Sequence, residues 1–211
     1  MKKFTALLVM GIMMLSVCLF TGCSGNENVL HVYNWGDYMD ESIISEFEAE
    51  YNCRVEIKYF TENEAMYADV KNSDINYDVL FPSDYMIEKM INEDMLLELD
   101  HSKISNLVNM DEAYMDASYD PGNKYSVPYM WGTVGILYNT EKVNGDIASW
   151  DVLFDEQYKG EVYMLDSVRD SLGVALLKLG YSMNERDESK VNEAKAVSYT
   201  HLRAHETPEH L

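Results

Sequence analysis

The order of strand-like and helix-like segments in the first half of the chain constrains the fold more than any other feature. Residues 29–33, 54–60 and 78–81 have the short apolar or alternating pattern that is typical of strands. A helix-like segment follows each of them, so that strand, turn and helix repeat three times. Strands joined through helices require crossovers, and such sheets are mainly parallel and covered on both faces. The sequence therefore predicts an α/β fold.

A polar residue that can cap a helix stands at the start of each helix-like segment: Asp40, Asn63 and Ser83. Apolar residues then recur at helical spacing, which places them on one face of each helix. They are Ile43, Ile44, Phe47 and Tyr51 in the first helix, Met66, Tyr67 and Val70 in the second, and Met86, Ile87, Met90 and Ile91 in the third. The apolar face of the third helix is expected to point into the core.

The second half of the chain is less regular at its start, with a turn predicted at residues 120–123. We expect the chain to cross there from a first α/β lobe, residues 23–132, to a second, residues 133–196. In the second lobe, strands are predicted over 134–138 and 161–165 and a helix over 171–179. Ser149 is expected to cap a helix that begins at Trp150, and a further helix starts near Asp187. Trp131 and Trp150 fit core or hinge packing. The second lobe is expected to be incomplete.

The two ends of the chain are expected to lie outside the fold. Residues 1–22 have the layout of a secretory signal, two lysines followed by an apolar run and small residues, and the following Cys23 completes what resembles a bacterial lipobox. Cys23 is therefore expected to carry a lipid and to tether an extracytoplasmic protein, in the periplasmic space or at the cell surface, to the membrane. An uncleaved anchor is the alternative, but the apolar run is short and interrupted for a spanning helix.

The last fifteen residues, 197–211, do not continue the pattern that precedes them. They contain three of the five histidines of the chain, and no helical or strand period runs through them. We expect a non-native tail. A histidine-rich metal site is the alternative, but the spacing matches no usual ligand set, and no metal is predicted.

The chain is strongly acidic, with 37 Asp and Glu against 16 Lys and Arg and a net charge of −21. Such a field repels nucleic acid and attracts cations over about 10 Å at ordinary salt. A solvated acidic surface that aids solubility explains the same composition. The charge becomes informative only beside a site built for cations.

Two turns that leave predicted strands combine aromatic and acidic residues. Trp35, Asp37 and Tyr38 follow the first strand, and Ser83, Asp84 and Tyr85 follow the third. In α/β sheets, ligands bind beyond the carboxyl ends of the strands, so both turns are expected to line one crevice. A carboxylate beside open aromatic rings suits a primary or secondary ammonium, whose methylene spacers lie against the same rings. A linear polyamine therefore fits this crevice better than an uncharged sugar. Packing in the core is the alternative role of Trp35.

These residues belong to a longer series of motifs that occur in the same order in a known family. The series comprises residues 33–38, 82–85, 104–120, 127–132 with 149–150, and 166–170 with 179–181. Together they resemble the bacterial spermidine/putrescine-binding proteins of polyamine ABC transporters, over about residues 29–193. The resemblance implies a bilobal fold like that of type II periplasmic binding proteins. It also implies that the chain is truncated at its C-terminus, binds polyamine weakly or not at all, and is poorly stable.

The resemblance further implies which residues contact the polyamine: Trp35, Asp37, Tyr38, Ser83, Tyr85 and Asp170. Asp84 is adjacent and acidic, and we include it. Two departures from the family, Gly36 in place of a hydroxyl residue and Ser167 in place of an acid, leave open how many ammonium groups are recognised. A surface pair with Arg169 is the alternative role of Asp170.

The expected function is that of an extracytoplasmic lipoprotein that binds putrescine or spermidine and delivers it to the permease of an ABC transporter. No enzymatic activity, cofactor or nucleic-acid partner is expected. Two alternatives stay open. One is a binding protein for another small ligand, such as an amino acid, iron or a sugar. The other is an extracellular hydrolase that uses Asp37 and Asp170 as acid and base, although the sequence shows no pair of nucleophile and base.

Overall fold

The computed structural model describes residues 28–145, 147–165 and 167–201. The predicted signal, Cys23 and residues 202–211 of the predicted tail lie outside these ranges. The chain divides into two compact units between Val127 and Pro128, and the lobe boundary expected from the sequence lies five residues later.

The first unit is built on a parallel sheet whose strands match the sequence prediction. Strand β1 is Val29–Trp35, β2 is Arg54–Phe60 and β3 is Val79–Leu80. The described residues form a sheet of three strands in the order β2-β1-β3. Strand β1 pairs in parallel with β2 from Val29↔Arg54 to Trp35↔Phe60, and with β3 at Val32↔Val79 and Tyr33↔Leu80. The predicted parallel α/β arrangement is confirmed, and β3 is shorter than expected.

Two helices cover one face of this sheet through the apolar residues that the sequence indicated. Helix α2 is Asn63–Asn72 and helix α3 is Asp84–Asn92. Met66 and Met90 are 0 % exposed. With Met86, they pack against the rings of Tyr33 and Phe60 in one core cluster. The ring centroids of Tyr33 and Phe60 lie 5.2 Å apart in an edge-to-face arrangement.

Helix α1, Ser42–Tyr51, forms where the sequence predicted a helix, and none of its residues is buried. Ile43, Phe47 and Tyr51 are 49 %, 40 % and 59 % exposed. Two hydrogen bonds join this region to β2: Glu48 accepts a bond from the Val55 N–H, and the Tyr59 hydroxyl donates to Glu41, the residue before the helix. The expected cap does form, since the Asp40 carboxylate accepts from the Ser42 N–H at 2.9 Å. This bond lowers the pKa of Asp40.

The rest of the first unit is held by short 3-10 helices and by one buried carboxylate. The 3-10 helices span His101–Lys103, Ser105–Asn109 and Glu112–Tyr114. The turn predicted at residues 120–123 is present, with the Asn123 N–H donating to the Asp120 carbonyl. The Asp120 side chain is 1 % exposed. It accepts bonds from the N–H groups of Lys124, Tyr125 and Ser126 and from the Ser126 hydroxyl.

The second unit contains a pair of helices. Helix α4 is Val168–Lys178 and helix α5 is Glu188–His201, and they pack through Ala175, Leu176 and Ala194. The helix predicted at Trp150 is a 3-10 helix, Trp150–Phe154, and the Ser149 hydroxyl caps it as expected. Helix α4 begins three residues before the predicted start, and α5 continues past residue 196 into the segment expected to be a tail.

Two predicted strands of the second unit are not formed. Residues 134–138 and 161–165 are in no strand, and Leu137 and Tyr163 are 99 % and 88 % exposed. A strand needs a neighbour to accept its backbone hydrogen bonds, and neither segment pairs with another strand within the described residues. Of the core or hinge packing expected for Trp131, the core alternative is wrong, since this residue is 69 % exposed.

Candidate functional site

The carboxyl ends of the three strands of the first unit meet at one edge of the sheet. Because the strands are parallel and β1 lies between the other two, the turns that follow Trp35, Phe60 and Leu80 leave the sheet at this same edge. We call it the crevice edge. Both turns singled out in the sequence are brought there, together with a third turn after β2.

Trp35 holds the first turn against the third strand. Its indole Nε1–H donates to the Phe81 carbonyl at 2.8 Å. Its ring centroid lies 4.4 Å from that of Phe60 on the other neighbouring strand. The side chain is half-buried and packs against the core cluster. Trp35 is therefore a packing residue that lies at the crevice edge, and its contact with a ligand stays a prediction.

Asp37 and Tyr38 complete the first turn and are both exposed. The ring of Tyr38 lies 5.7 Å from that of Trp35, centroid to centroid. At this separation the rings form a tilted pair. A carboxylate and two aromatic side chains thus belong to one short turn of the crevice edge.

Ser83 is held by a residue that the sequence analysis did not place in the site. The Ser83 N–H donates to Asn63 Oδ1 at 3.0 Å, and Asn63 Nδ2 donates to Ser83 Oγ at 3.0 Å. Asn63 is the first residue of α2 and is 6 % exposed. The expectation that Asn63 caps α2 is wrong, because its side chain is used to bind the turn after β3.

Asp84 and Tyr85 lie in the first turn of α3. The exposed Asp84 carboxylate accepts the Tyr85 N–H at 2.7 Å. The Tyr85 hydroxyl donates to Glu64, an exposed carboxylate at the start of α2, at 3.0 Å. Burial raises the pKa of Tyr119, and the negative charges of Asp84 and Asp120 raise it further. The Tyr119 hydroxyl therefore shares the electrostatic environment of Asp84.

The carboxylates of the crevice edge are not neutralised by basic side chains of the described residues. Lysines elsewhere in the first unit do pair with acids, as Lys58 does with Asp69 and Lys71 with Glu93. No ion pair with a lysine or arginine is found in this part of the structure for Asp37, Glu64 or Asp84. An edge that carries uncompensated negative charge attracts cations.

Asp170 belongs to the second unit. It lies in the first turn of α4 rather than in a loop, is half-buried, and its N–H donates to the Ser167 Oγ at 3.2 Å. Ser167, the departure from the family pattern, thus caps α4. The neighbouring Arg169 bonds the side chain of Asn184.

Asn63 and Glu64 are the residues of the crevice edge that sequence reasoning missed. The available signal was their position directly after the second strand, at the same sheet edge as the two turns that were recognised. Asn63 can cap a helix, and the sequence analysis assigned it that local role. Its actual partner, Ser83, lies 20 residues later, and spacing alone does not predict this contact.

Two kinds of feature are absent from the described part of the chain. In it, no group of three or more His, Cys, Asp or Glu side chains is arranged to hold a metal ion. No helix within the same ranges has the length and apolar character needed to cross a bilayer.

Comparison with known proteins identifies the relatives of this chain. The family model of bacterial extracellular solute-binding proteins matches residues 42–201. The spermidine/putrescine-binding periplasmic protein of Escherichia coli K12 is 36 % identical over 171 residues, which are 80 % of this chain and 49 % of that protein. The chain thus spans about half the length of the curated relatives it matches.

Solved structures give the same result. PotD, the spermidine/putrescine ABC transporter substrate-binding protein of Streptococcus pneumoniae, is 41 % identical with a TM-score of 0.65, over 81 % of this chain and 53 % of that one. The TpPotD lipoprotein of Treponema pallidum is 31 % identical with a TM-score of 0.75, over 84 % and 56 %. The resemblance and the fold class predicted from the sequence are confirmed.

Proposed function

The chain belongs to the bacterial extracellular solute-binding proteins, and from this premise we propose that it binds a linear polyamine, putrescine or spermidine, and delivers it to the permease of an ABC transporter. The E. coli relative is named as a spermidine/putrescine-binding protein, and the S. pneumoniae relative as the substrate-binding protein of a spermidine/putrescine ABC transporter. The proposed role is therefore capture and delivery, without a catalytic step.

The observation that carries this proposal is the set of uncompensated carboxylates beside aromatic rings at the crevice edge. A cation over the face of Trp or Tyr contributes ~0.5–2 kcal/mol. A charge-assisted hydrogen bond to a carboxylate contributes about 1.5–3 kcal/mol. Trp35, Tyr38 and Asp37 offer both in one turn. A neutral sugar offers no charge to offset the desolvation of these carboxylates.

The ligand residues that we propose in the first unit are Trp35, Asp37, Tyr38, Ser83, Asp84 and Tyr85. Trp35 and Tyr38 provide ring faces, Asp37 and Asp84 provide charge, and Ser83 and Tyr85 provide hydroxyl groups. Asp170 in the second unit is proposed on the strength of the resemblance alone.

We also propose that Cys23 is acylated and tethers the protein outside the cytoplasm. The small residues before Cys23 support this, and one relative of known structure is a lipoprotein. Palmitate labelling of cells that express the chain checks it. Label that is retained in Cys23→Ser would exclude this anchor.

Isothermal titration with putrescine and spermidine tests the binding. Two proteins are titrated. One is the chain without residues 1–23, and the other, called here the extended chain, is residues 24–196 joined to the C-terminal part of the S. pneumoniae protein that the match leaves uncovered. We expect saturable one-to-one binding by the extended chain. Asp37→Asn should weaken it about tenfold to a hundredfold, and Trp35→Ala about tenfold.

Two control variants match these changes in charge and size. Asp74→Asn removes one exposed carboxylate from the segment that precedes β3, at the opposite edge of the sheet. Trp131→Ala removes an exposed indole from the second unit. Neither is expected to change the dissociation constant. The folded extended chain could instead give no heat with either polyamine and bind an amino acid or a sugar. That result would replace the polyamine in this proposal by the ligand that binds.

A further inference from the structure

The Asn63 side chain does not cap its own helix. Asn63 is the first residue of α2, directly after Glu62 at the N-cap position, and no side-chain hydrogen bond caps this helix. The Asn63 side chain instead reaches the turn after β3 and makes two bonds to one residue, Ser83, each 3.0 Å long. Asn63 is also almost completely buried, at 6 % exposure.

The orientation of the Asn63 amide follows from its partner. A backbone N–H can only donate, so the atom that faces the Ser83 N–H must be the amide oxygen. The amide nitrogen then necessarily faces Ser83 Oγ and donates to it. Both bonds act on the same residue, and together they fix the backbone and the side chain of Ser83.

The Ser83 side chain does not cap a helix either. It precedes α3, where a serine hydroxyl normally caps the helix, yet it makes no such bond. The first amides of α3 find other acceptors: Tyr85 donates to the Asp84 carboxylate, and Met86 and Ile87 donate to the Ser83 carbonyl. The helix therefore does not need the Ser83 hydroxyl.

One lone pair of Ser83 Oγ is thus occupied by Asn63, and the rest of the hydroxyl is not used by the helix. In the described residues, no hydrogen bond to this oxygen is found other than the one from Asn63. An ammonium group can only donate, so it needs acceptor oxygens that are already in place. An acceptor that is fixed in advance costs less conformational entropy when the ligand binds.

We propose that Asn63 is a positioning residue that holds the Ser83 hydroxyl as a preformed acceptor for an ammonium group at the crevice edge. The role in ligand binding rests on the proposed function. The contact between Asn63 and Ser83 does not, and each part has its own measurement.

The first measurement is hydrogen exchange of the Ser83 amide, by NMR, in the chain without ligand. Asn63→Ala removes the acceptor and is expected to speed exchange about tenfold or more. Asn63→Asp keeps an acceptor oxygen and should leave the amide protected. The matched control is Asn72→Ala at the other end of α2. The Asn72 side chain donates to the Ala68 carbonyl. Equal Ser83 exchange in all four proteins would overturn the contact.

The second measurement is the dissociation constant for putrescine in the extended chain. Asn63→Ala is expected to weaken binding about tenfold. Asn63→Asp should bind as well as the original or better, because its carboxylate still holds Ser83 and adds negative charge. Asn72→Ala should bind unchanged. A purely structural role predicts a different result for Asn63→Ala, a lower melting temperature with an unchanged dissociation constant, and that result would overturn the proposal.

A double-mutant cycle with Ser83→Ala identifies the route of the effect. If Asn63 acts through the Ser83 hydroxyl, Asn63→Ala adds no further loss of affinity when Ser83 is already alanine. Full additivity would overturn the positioning role. Absence of polyamine binding by the unmutated extended chain would instead remove the proposed function, while the exchange data would still decide whether Asn63 holds Ser83.

Discussion

The two units of the chain use similar sequence patterns with different outcomes. In the first, three segments with strand-like patterns pair into a parallel sheet, and two helices bury Met66, Met86 and Met90 against it. In the second, two segments with equally strand-like patterns remain unpaired within the described residues, and Leu137 and Tyr163 stay exposed. The comparison teaches that the pattern identifies a segment able to form a strand, whereas the partner decides whether it does.

The helices of both units depend less on distant partners. Hydrogen bonds of an α-helix close within its own segment, and local caps add to them. Asp40 bonds the start of α1, and Ser167 caps α4. These elements were therefore predicted in both units, with shifts of a few residues at their ends.

The prediction with the largest expected effect asks whether the two unpaired segments of the second unit form strands once partner strands are present. In the extended chain, residues 134–138 and 161–165 are expected to pair as strands, and their amides should exchange about a hundredfold more slowly than in the chain alone. Hydrogen exchange followed by NMR or mass spectrometry measures this. Residues 54–60, which are already paired in β2, serve as the internal control. Equal exchange of both segments in the two proteins would contradict this explanation.

A second prediction compares one buried and one exposed apolar residue. Met66→Ala removes a side chain that is 0 % exposed and should lower the free energy of unfolding by about 2–5 kcal/mol. Leu137→Ala removes a side chain that is 99 % exposed, so its effect should stay within about 0.5 kcal/mol. Urea unfolding of the chain measures both. A loss as large for Leu137→Ala as for Met66→Ala would show that the two units do not differ in packing.

The smallest expected effect concerns surface charge and pH. Hydrogen bonds from Lys71 and Tyr67 lower the pKa of Glu93 from 4.5 to about 2. Because the folded value lies below the unfolded one, this carboxylate stabilises the fold above about pH 4.5. The contribution disappears as the pH falls from there to about 2. Glu93→Gln should therefore lower the melting temperature slightly at pH 7 and converge with the original chain at pH 2.

The second unit has a comparable pair, in which Lys178 lowers the pKa of Asp151. Asp151→Asn should likewise lower the melting temperature slightly at neutral pH, and high salt should reduce both effects because the pairs are exposed. A difference from the original chain that is the same at every pH would show that neither carboxylate acts through its charge.

The sequence by itself determined the local elements and predicted the chemistry of the candidate site. Alternating and helical periods located β1, β2 and the helices, and the run from Trp35 to Tyr38 indicated a cation site through its residue types alone. These features depend on residues close together in the chain, where spacing fixes which side chains share a face.

Only the tertiary structure decided the contacts between distant segments. The sequence predicted that Asn63 caps a helix, whereas in the structure its side chain bonds Ser83. The structure also shows that the Trp35 indole donates to the Phe81 carbonyl and that Ile43, Phe47 and Tyr51 of α1 are exposed. It also left residues 134–138 without a strand partner within the described ranges. Each outcome depends on which parts of the chain meet in space, and a periodic pattern within one segment carries no information about its partner.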